Sequence, residues 1–212
     1  MKKTTYALAI AALLASSAST LAADTKVGLL MDITGPIASF IPPLQNAANL
    51  AVQHVNENGG LLDGQAVPVY GDTTGSSQGA VDAAGKLINV ENVPIIMGAL
   101  MSGTTIAAAE AAAIPAGVVQ ISPTATSPAM TDIKDSDLLY RIVPSDNFQG
   151  KVLAKMVLDE GIKKVAVTFV NNDYGVGIGS TFVEAYKALG GEVVAEVKHE
   201  EKKNSYRSEL AT

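Results

Sequence analysis

The chain has 212 residues, 48% of them hydrophobic and 17% charged, with a formal charge of −6 and no cysteine. That length and apolar content can build a sizeable core without cross-links, and the lack of thiols excludes disulfide staples, thiolate metal sites and cysteine nucleophiles. An acidic chain without a basic stripe also argues against a nucleic-acid partner.

The chain opens Met1-Lys2-Lys3, continues through the apolar run Tyr6 to Leu14, and reaches Leu21-Ala22-Ala23-Asp24 through small residues. This reads as a secretory signal peptide over residues 1–23. Its apolar core is too short to span a bilayer, and no later segment approaches about 18 uninterrupted apolar residues. The mature chain is therefore expected to be exported and soluble.

Lys26 to Met31 reads as a buried strand, followed by the loop Asp32 to Phe40. From Pro43 the pattern turns helical, with Leu44, Ala47, Ala48, Ala51 and Val55 on one face and Gly59-Gly60 as the stop. Ala66 to Tyr70 is a second strand, and Val81, Ala84, Leu87 and Ile88 mark a second helix. Pro94 to Met97 and Val118 to Ile121 give a third and a fourth strand around an alanine-rich helix. Strands alternating with helices imply an α/β fold, a parallel sheet with helices on both faces.

Leu138 to Pro144 reads as an extended segment that leaves this sheet. Ser145 or Asp146 can cap a helix over Gln149 to Glu160 that turns Val152, Met156 and Val157 inward. A strand (Lys164 to Val170), a helix (Ser180 to Leu189) and a strand (Glu192 to Val197) begin a second α/β unit. Two strands are a poor independent core, so the chain is expected to be the amino-terminal part of a longer protein, or a truncated copy of one. The expected division is 24–141 for a first ligand-binding lobe and 142–212 for a partial second lobe.

Three short motifs imitate enzyme sites. Gly75-Ser76-Ser77-Gln78-Gly79 matches a nucleophile elbow, but loop residues separate strand from serine and the only later histidine is His199. Gly175-Val176-Gly177-Ile178-Gly179 has the wrong final spacing for a dinucleotide loop, and in Gly79 to Lys86 the glycines are misplaced for a phosphate loop, with Leu87 where Ser or Thr is needed. His54 and His199 have no ligand partners at metal spacing. No enzyme, cofactor or metal is expected.

The stretch Gly98 to Thr131 carries two hydroxyl-rich loops, Met101-Ser102-Gly103-Thr104-Thr105 and Ser122-Pro123-Thr124-Ala125-Thr126-Ser127-Pro128. If each follows a parallel strand, both lie at the carboxyl edge of the sheet, where open α/β sheets bind ligands. A helix opening at the first loop would favour a carboxylate. The competing reading is that Ser102 is an ordinary cap and the threonines satisfy the loop backbone.

The segments KVGLLMDITGPIASF, HVNENGGLLDG, PIIMGALMSGTTIA, ISPTATSPAMT, LLYRIVPSDNFQGKVLA and KKVAVTFVNNDYGVGIGSTFVEAYKALGGEVV together resemble the periplasmic leucine/isoleucine/valine-type substrate-binding proteins of ABC transporters. The resemblance implies a two-lobed type I periplasmic binding protein that closes on an amino acid or related small amide by hinge motion and delivers it to permease subunits, as a monomer at full length. It implies that Ser102 contacts the amino-acid carboxylate, that Thr124 and Thr126 serve the carboxylate and ammonium ends, that Tyr174 closes over the ligand, and that Phe40 lies near its side chain. Ile41-Pro42-Pro43 departs from the family's small, glycine-containing stretch, and Thr124 stands where many relatives have alanine. An acid for the ammonium and a further aromatic would fall beyond Thr212, so the chain alone is expected to bind weakly or not at all. A sensor domain of the same fold, or more remotely a hydrolase using Ser77, are the other readings.

Overall fold

The computed structural model describes residues 23–211, so the signal-peptide reading on residues 1–22 lies outside the described residues. The first unit contains β1 (Thr25–Met31), α1 (Ile41–Glu57), β2 (Ala66–Asp72), α2 (Ser77–Asn89), β3 (Ile95–Gly98), α3 (Ser102–Ala108), β4 (Val119–Ser122) and β5 (Leu139–Arg141). Its strands form one parallel sheet in the order β2-β1-β3-β4-β5.

The uninterrupted Leu29-Leu30-Met31 in β1 suits a strand covered on both faces. Leu30 packs with Ala80, Ala84 and Leu87 of α2 and Ala108 of α3, while Leu29 and Met31 pack with Ile41 and Leu44 of α1. Helix α3 continues through a π-helical stretch, Ala109–Ala113, into a last turn at Ile114–Ala116, where Pro115 supplies no ladder donor. Its buried Ala108, Ala109 and Ala113 let the backbone lie close to the sheet. Gly98 ends β3 at φ 128°, and a Cβ there would stand 1.9 Å from the Leu30 carbonyl oxygen, so a larger residue meets both strain and backbone.

The second unit holds α4 (Asp146–Asp159), β6 (Lys164–Val170), α5 (Asp173–Ala188), β7 (Glu192–His199) and the short α6 (Arg207–Leu210). β6 and β7 pair in parallel, and α5 lies over them with Phe182, Val183 and Tyr186 in the core.

Four expectations are corrected here. Helix α1 begins at Ile41, because Pro42 and Pro43 occupy first-turn positions whose N–H groups need no helical partner. Leu139–Arg141 does not leave the first sheet but adds its fifth strand beside β4. On α4, Val152 and Met156 are 41% and 58% exposed; Ala154, with Val157 and Leu158, makes the packed face. A Cβ on Gly150 would stand 2.9 Å from Thr181, which fixes that face against α5. Helix α5 starts at Asp173, capped by Asn172 Oδ1 accepting from Gly175 N at 2.9 Å, so the Gly175 to Gly179 motif is helical, not a loop.

Candidate functional site

In the first sheet β1 leads to β2 on one side, whereas β3 and β4 extend on the other, so the strand order reverses between β1 and β3. Open parallel sheets place ligands outside the carboxyl ends of their strands at such a reversal. Asp32 follows β1 at this point and is fully buried. Its Oδ2 accepts from Leu100 N at 2.9 Å and Met101 N at 3.2 Å, and its Oδ1 accepts from Thr73 Oγ1 at 2.6 Å. One carboxylate therefore ties together the loops after β1, β2 and β3 and fixes where α3 begins.

A cleft of about 440 Å³ opens above these loops. Its first-unit wall is apolar at Ile37, Phe40, Leu44, Leu100 and Met101, and polar at Ser102 and Thr124. Val170, Asn172, Asp173, Tyr174 and Glu201 of the second unit complete it, and none of the described residues that line it is basic. Four of the five residues expected at a ligand site, Phe40, Ser102, Thr124 and Tyr174, thus meet in one cavity. Phe40 and Tyr174 are 66% and 45% exposed, one on each unit, which leaves aromatic surface free to cover a guest.

Hydrogen-bond direction assigns each hydroxyl a polarity. Ser102 lies within the first turn of α3 and Met101 is the cap residue, so Ser102 does not cap the helix. Its Oγ accepts from Ser127 N at 3.3 Å. The accepted bond leaves the hydroxyl proton for a negative group, next to first-turn N–H groups that have no carbonyl partner within the helix. Thr124 is the reverse: its Oγ1 donates to Leu100 O at 2.6 Å, so what it offers is lone pairs, suited to a cation or a donor.

Thr126 stands apart from the cleft. Its Oγ1 donates to Asp146 Oδ2 at 2.8 Å, and its carbonyl accepts from Asp146 N and Arg141 Nη1. At the junction between the units the hydroxyl is thus taken by the buried Asp146 carboxylate and the carbonyl by the Asp146 N–H and the Arg141 guanidinium. Burial pushes the Asp146 carboxyl above its ordinary range, against the lowering pull of the Thr126 hydroxyl and Arg141.

The two units approach closely at two glycines. A Cβ on Gly103 would stand 2.6 Å from Asp173 Oδ2, and one on Gly177 would stand 2.7 Å from Pro128 Cδ. Neither histidine lines the cleft; His199 Nδ1 shares a hydrogen bond with Thr168 Oγ1 at 2.9 Å. Ser77 does line it, but as the first residue of α2, after the cap Ser76.

Sequence reasoning missed Asp32, Asn172, Asp173 and Glu201. Asp32 carried a usable signal, a polar residue directly after a buried strand at the binding edge. Glu201 carried none; it lies just after β7 and its carboxylate accepts from Asn172 Nδ2 at 2.6 Å.

The family model described as periplasmic binding protein matches residues 24–212. The Leu/Ile/Val-binding protein BraC3 of Rhizobium johnstonii is 32% identical over 169 residues, covering 79% of this chain and 45% of the relative. The leucine-, isoleucine-, valine-, threonine- and alanine-binding protein of Pseudomonas aeruginosa is 30% identical over 196 residues, 90% of this chain and 52% of the relative. A solved structure of the branched-chain amino acid transporter substrate-binding protein LivJ from Streptococcus pneumoniae, in complex with isoleucine, superposes with a TM-score of 0.78 at 31% identity, covering 89% of this chain and 53% of that one. The chain spans about half the length of the curated relatives it matches.

Proposed function

As the chain belongs to the periplasmic binding protein family, we propose that it is an exported solute-binding protein that captures a branched-chain type of amino acid, or a related small amide, and hands it to an ABC permease. Its two lobes are residues 24–141 and 142–212, with the cleft between them. The choice of solute is supported by the relatives, which are amino-acid-binding proteins, and delivery to a permease by LivJ, a transporter substrate-binding protein.

The observation that carries this reading is the opposed polarity of two hydroxyls on one wall of the cleft. A zwitterion fits it: the carboxylate meets the Ser102 proton and the open N–H groups of α3, and the ammonium meets Thr124 lone pairs and the acids Asp173 and Glu201. Such a solute needs no basic residue in the cleft, because helix N–H groups and a hydroxyl neutralise its anionic end. Ile37, Phe40 and Leu44 offer an apolar side chain somewhere dry to lie.

Thermal unfolding of the chain with L-leucine, L-isoleucine, L-valine and the corresponding amides tests this. A bound solute at 100 times its dissociation constant stabilises by about 2.7 kcal/mol. The expected result is a concentration-dependent rise in Tm for the amino acids that Ser102→Ala abolishes. No rise with any of them, or a rise that Ser102→Ala leaves intact, contradicts the reading.

A further inference from the structure

Helix α5 carries Gly175, Gly177 and Gly179 in its first two turns. A glycine inside a helix is locally unfavourable compared with alanine, so each needs a reason beyond its own backbone. At about 100° per residue, Gly175 and Gly179 share one side of the helix and Gly177 lies on the opposite side. A Cβ on Gly175 would stand 2.2 Å from Val170 O, and one on Gly179 would stand 2.4 Å from Phe169 Cδ1, so those two seat the helix on β6 of its own unit. Gly177 faces the other unit: its Cβ would stand 2.7 Å from Pro128 Cδ and 3.3 Å from Ser127 Oγ.

That neighbour cannot yield cheaply. Pro128 Cδ is closed in a ring onto its own backbone nitrogen, and Pro128 opens a 3-10 turn, Pro128–Thr131, that is anchored by the buried Met130. Gly103 is the contrast, because the atom opposite it is Asp173 Oδ2, the end of a side chain that can swing aside. Tyr174 lies one turn before Gly177 on the same helix and lines the cleft. How deeply α5 seats on Pro128 therefore sets how far Tyr174 extends over a guest.

We propose that Gly177 is a positioning residue for the aromatic side of the cleft: by presenting no side chain to Pro128, it lets the second unit close far enough for Tyr174 to cover the solute. The proposal rests on the solute-binding reading of the cleft. A free chain can part its units to admit a methyl group, whereas a chain closed on solute cannot, so the cost falls on affinity.

Titration with L-leucine, followed by NMR, tests this. Gly177→Ala should bind about tenfold more weakly than wild type, within the range for an extra methyl in a packed contact. Without solute its Tm should be no lower than that of wild type, since alanine favours the helix. Adding Pro128→Ala, which removes Cδ, should restore most of the affinity; should Gly177→Ala not fold, recovery of folding in this double variant is the expected sign of the same contact. In a Tyr174→Ala background, Gly177→Ala should cost less than about twofold further, because the side chain it positions is gone. Gly85→Ala in α2, where the nearest atom to a Cβ is Asn89 Nδ2 at 4.0 Å, should leave affinity unchanged. No leucine binding by the wild-type chain overturns the solute reading on which the proposal rests. Leucine binding that Gly177→Ala leaves within about twofold of wild type, or a loss that Pro128→Ala does not relieve, overturns the positioning role alone.

Discussion

The two units use the same βαβ device but enclose it differently. In the first, β1 has strands on both edges and helices on both faces, and Leu30, Ile96, Ala80 and Ala84 are fully enclosed. In the second, among the described residues, β6 has a single partner, the sheet is two strands wide, and Val194, Leu153 and Met156 remain substantially exposed. Burial scales with how many layers meet at a residue, so the same alternating pattern that closes a core in one unit leaves apolar surface in the other. The polar half of the cleft, Ser102 and Thr124, stands on the more enclosed unit, and the more exposed unit contributes Tyr174 and the acidic wall.

Core truncation should break the comparison most visibly. Leu30→Ala is expected to cost about 2–5 kcal/mol, as for a fully buried leucine, whereas Val194→Ala should fall within about 0.5 kcal/mol of wild type. Denaturant unfolding of the two variants measures both, and equal losses would contradict the contrast.

Acid should then separate two carboxylates. Burial raises the Asp146 pKa above 3.8. The neutral acid is therefore the form the fold prefers, and the stabilisation present below pH 3.8 is lost as pH rises through the raised folded value. Asp72 is also pushed up by burial, but the N–H of Thr74 and the N–H and hydroxyl of Thr34 outweigh this and hold it below 3.8. Its stabilisation is present above pH 3.8 and is lost as pH falls through the lowered folded value. At neutral pH, Asp146→Asn should raise Tm and Asp72→Asn should lower it, and both differences should shrink toward pH 3. Thermal melts across that range check the two signs.

The smallest effect belongs to the surface. Lys155 and Asp159 pair at i,i+4 on α4 at 2.7 Å, both well exposed. Lys155→Ala should cost only about 0.3–0.5 kcal/mol and nothing measurable in high salt, as a salt-dependent unfolding series would show.

The parallel α/β architecture was legible because β1 and β3 carry apolar runs and β4 an apolar run interrupted only at Gln120, separated by helical periods. The loop residues Ser102 and Thr124 were legible because hydroxyls follow those runs at the binding edge. Leu139–Arg141 was not, since a three-residue edge strand has no period to detect, and its pairing depends on β4. The start of α5 was missed because three glycines suggest a loop, whereas here Gly175 and Gly179 let the helix lie against Val170 and Phe169 of β6. The direction of each hydroxyl bond was equally hidden. Ser102 is left free to donate through Ser127 and the Thr126 hydroxyl is taken by Asp146, partners 25 and 20 residues distant in the chain.

The most direct test of the account is an NMR titration of the 212-residue chain with L-leucine to about 10 mM, a range that also reveals millimolar affinity. Saturable shifts of the Ser102, Gly103 and Thr124 amides together with Asn172 to Tyr174, lost in Ser102→Ala, are the expected result. Absence of saturable shifts, or shifts confined to residues outside the cleft, would contradict it.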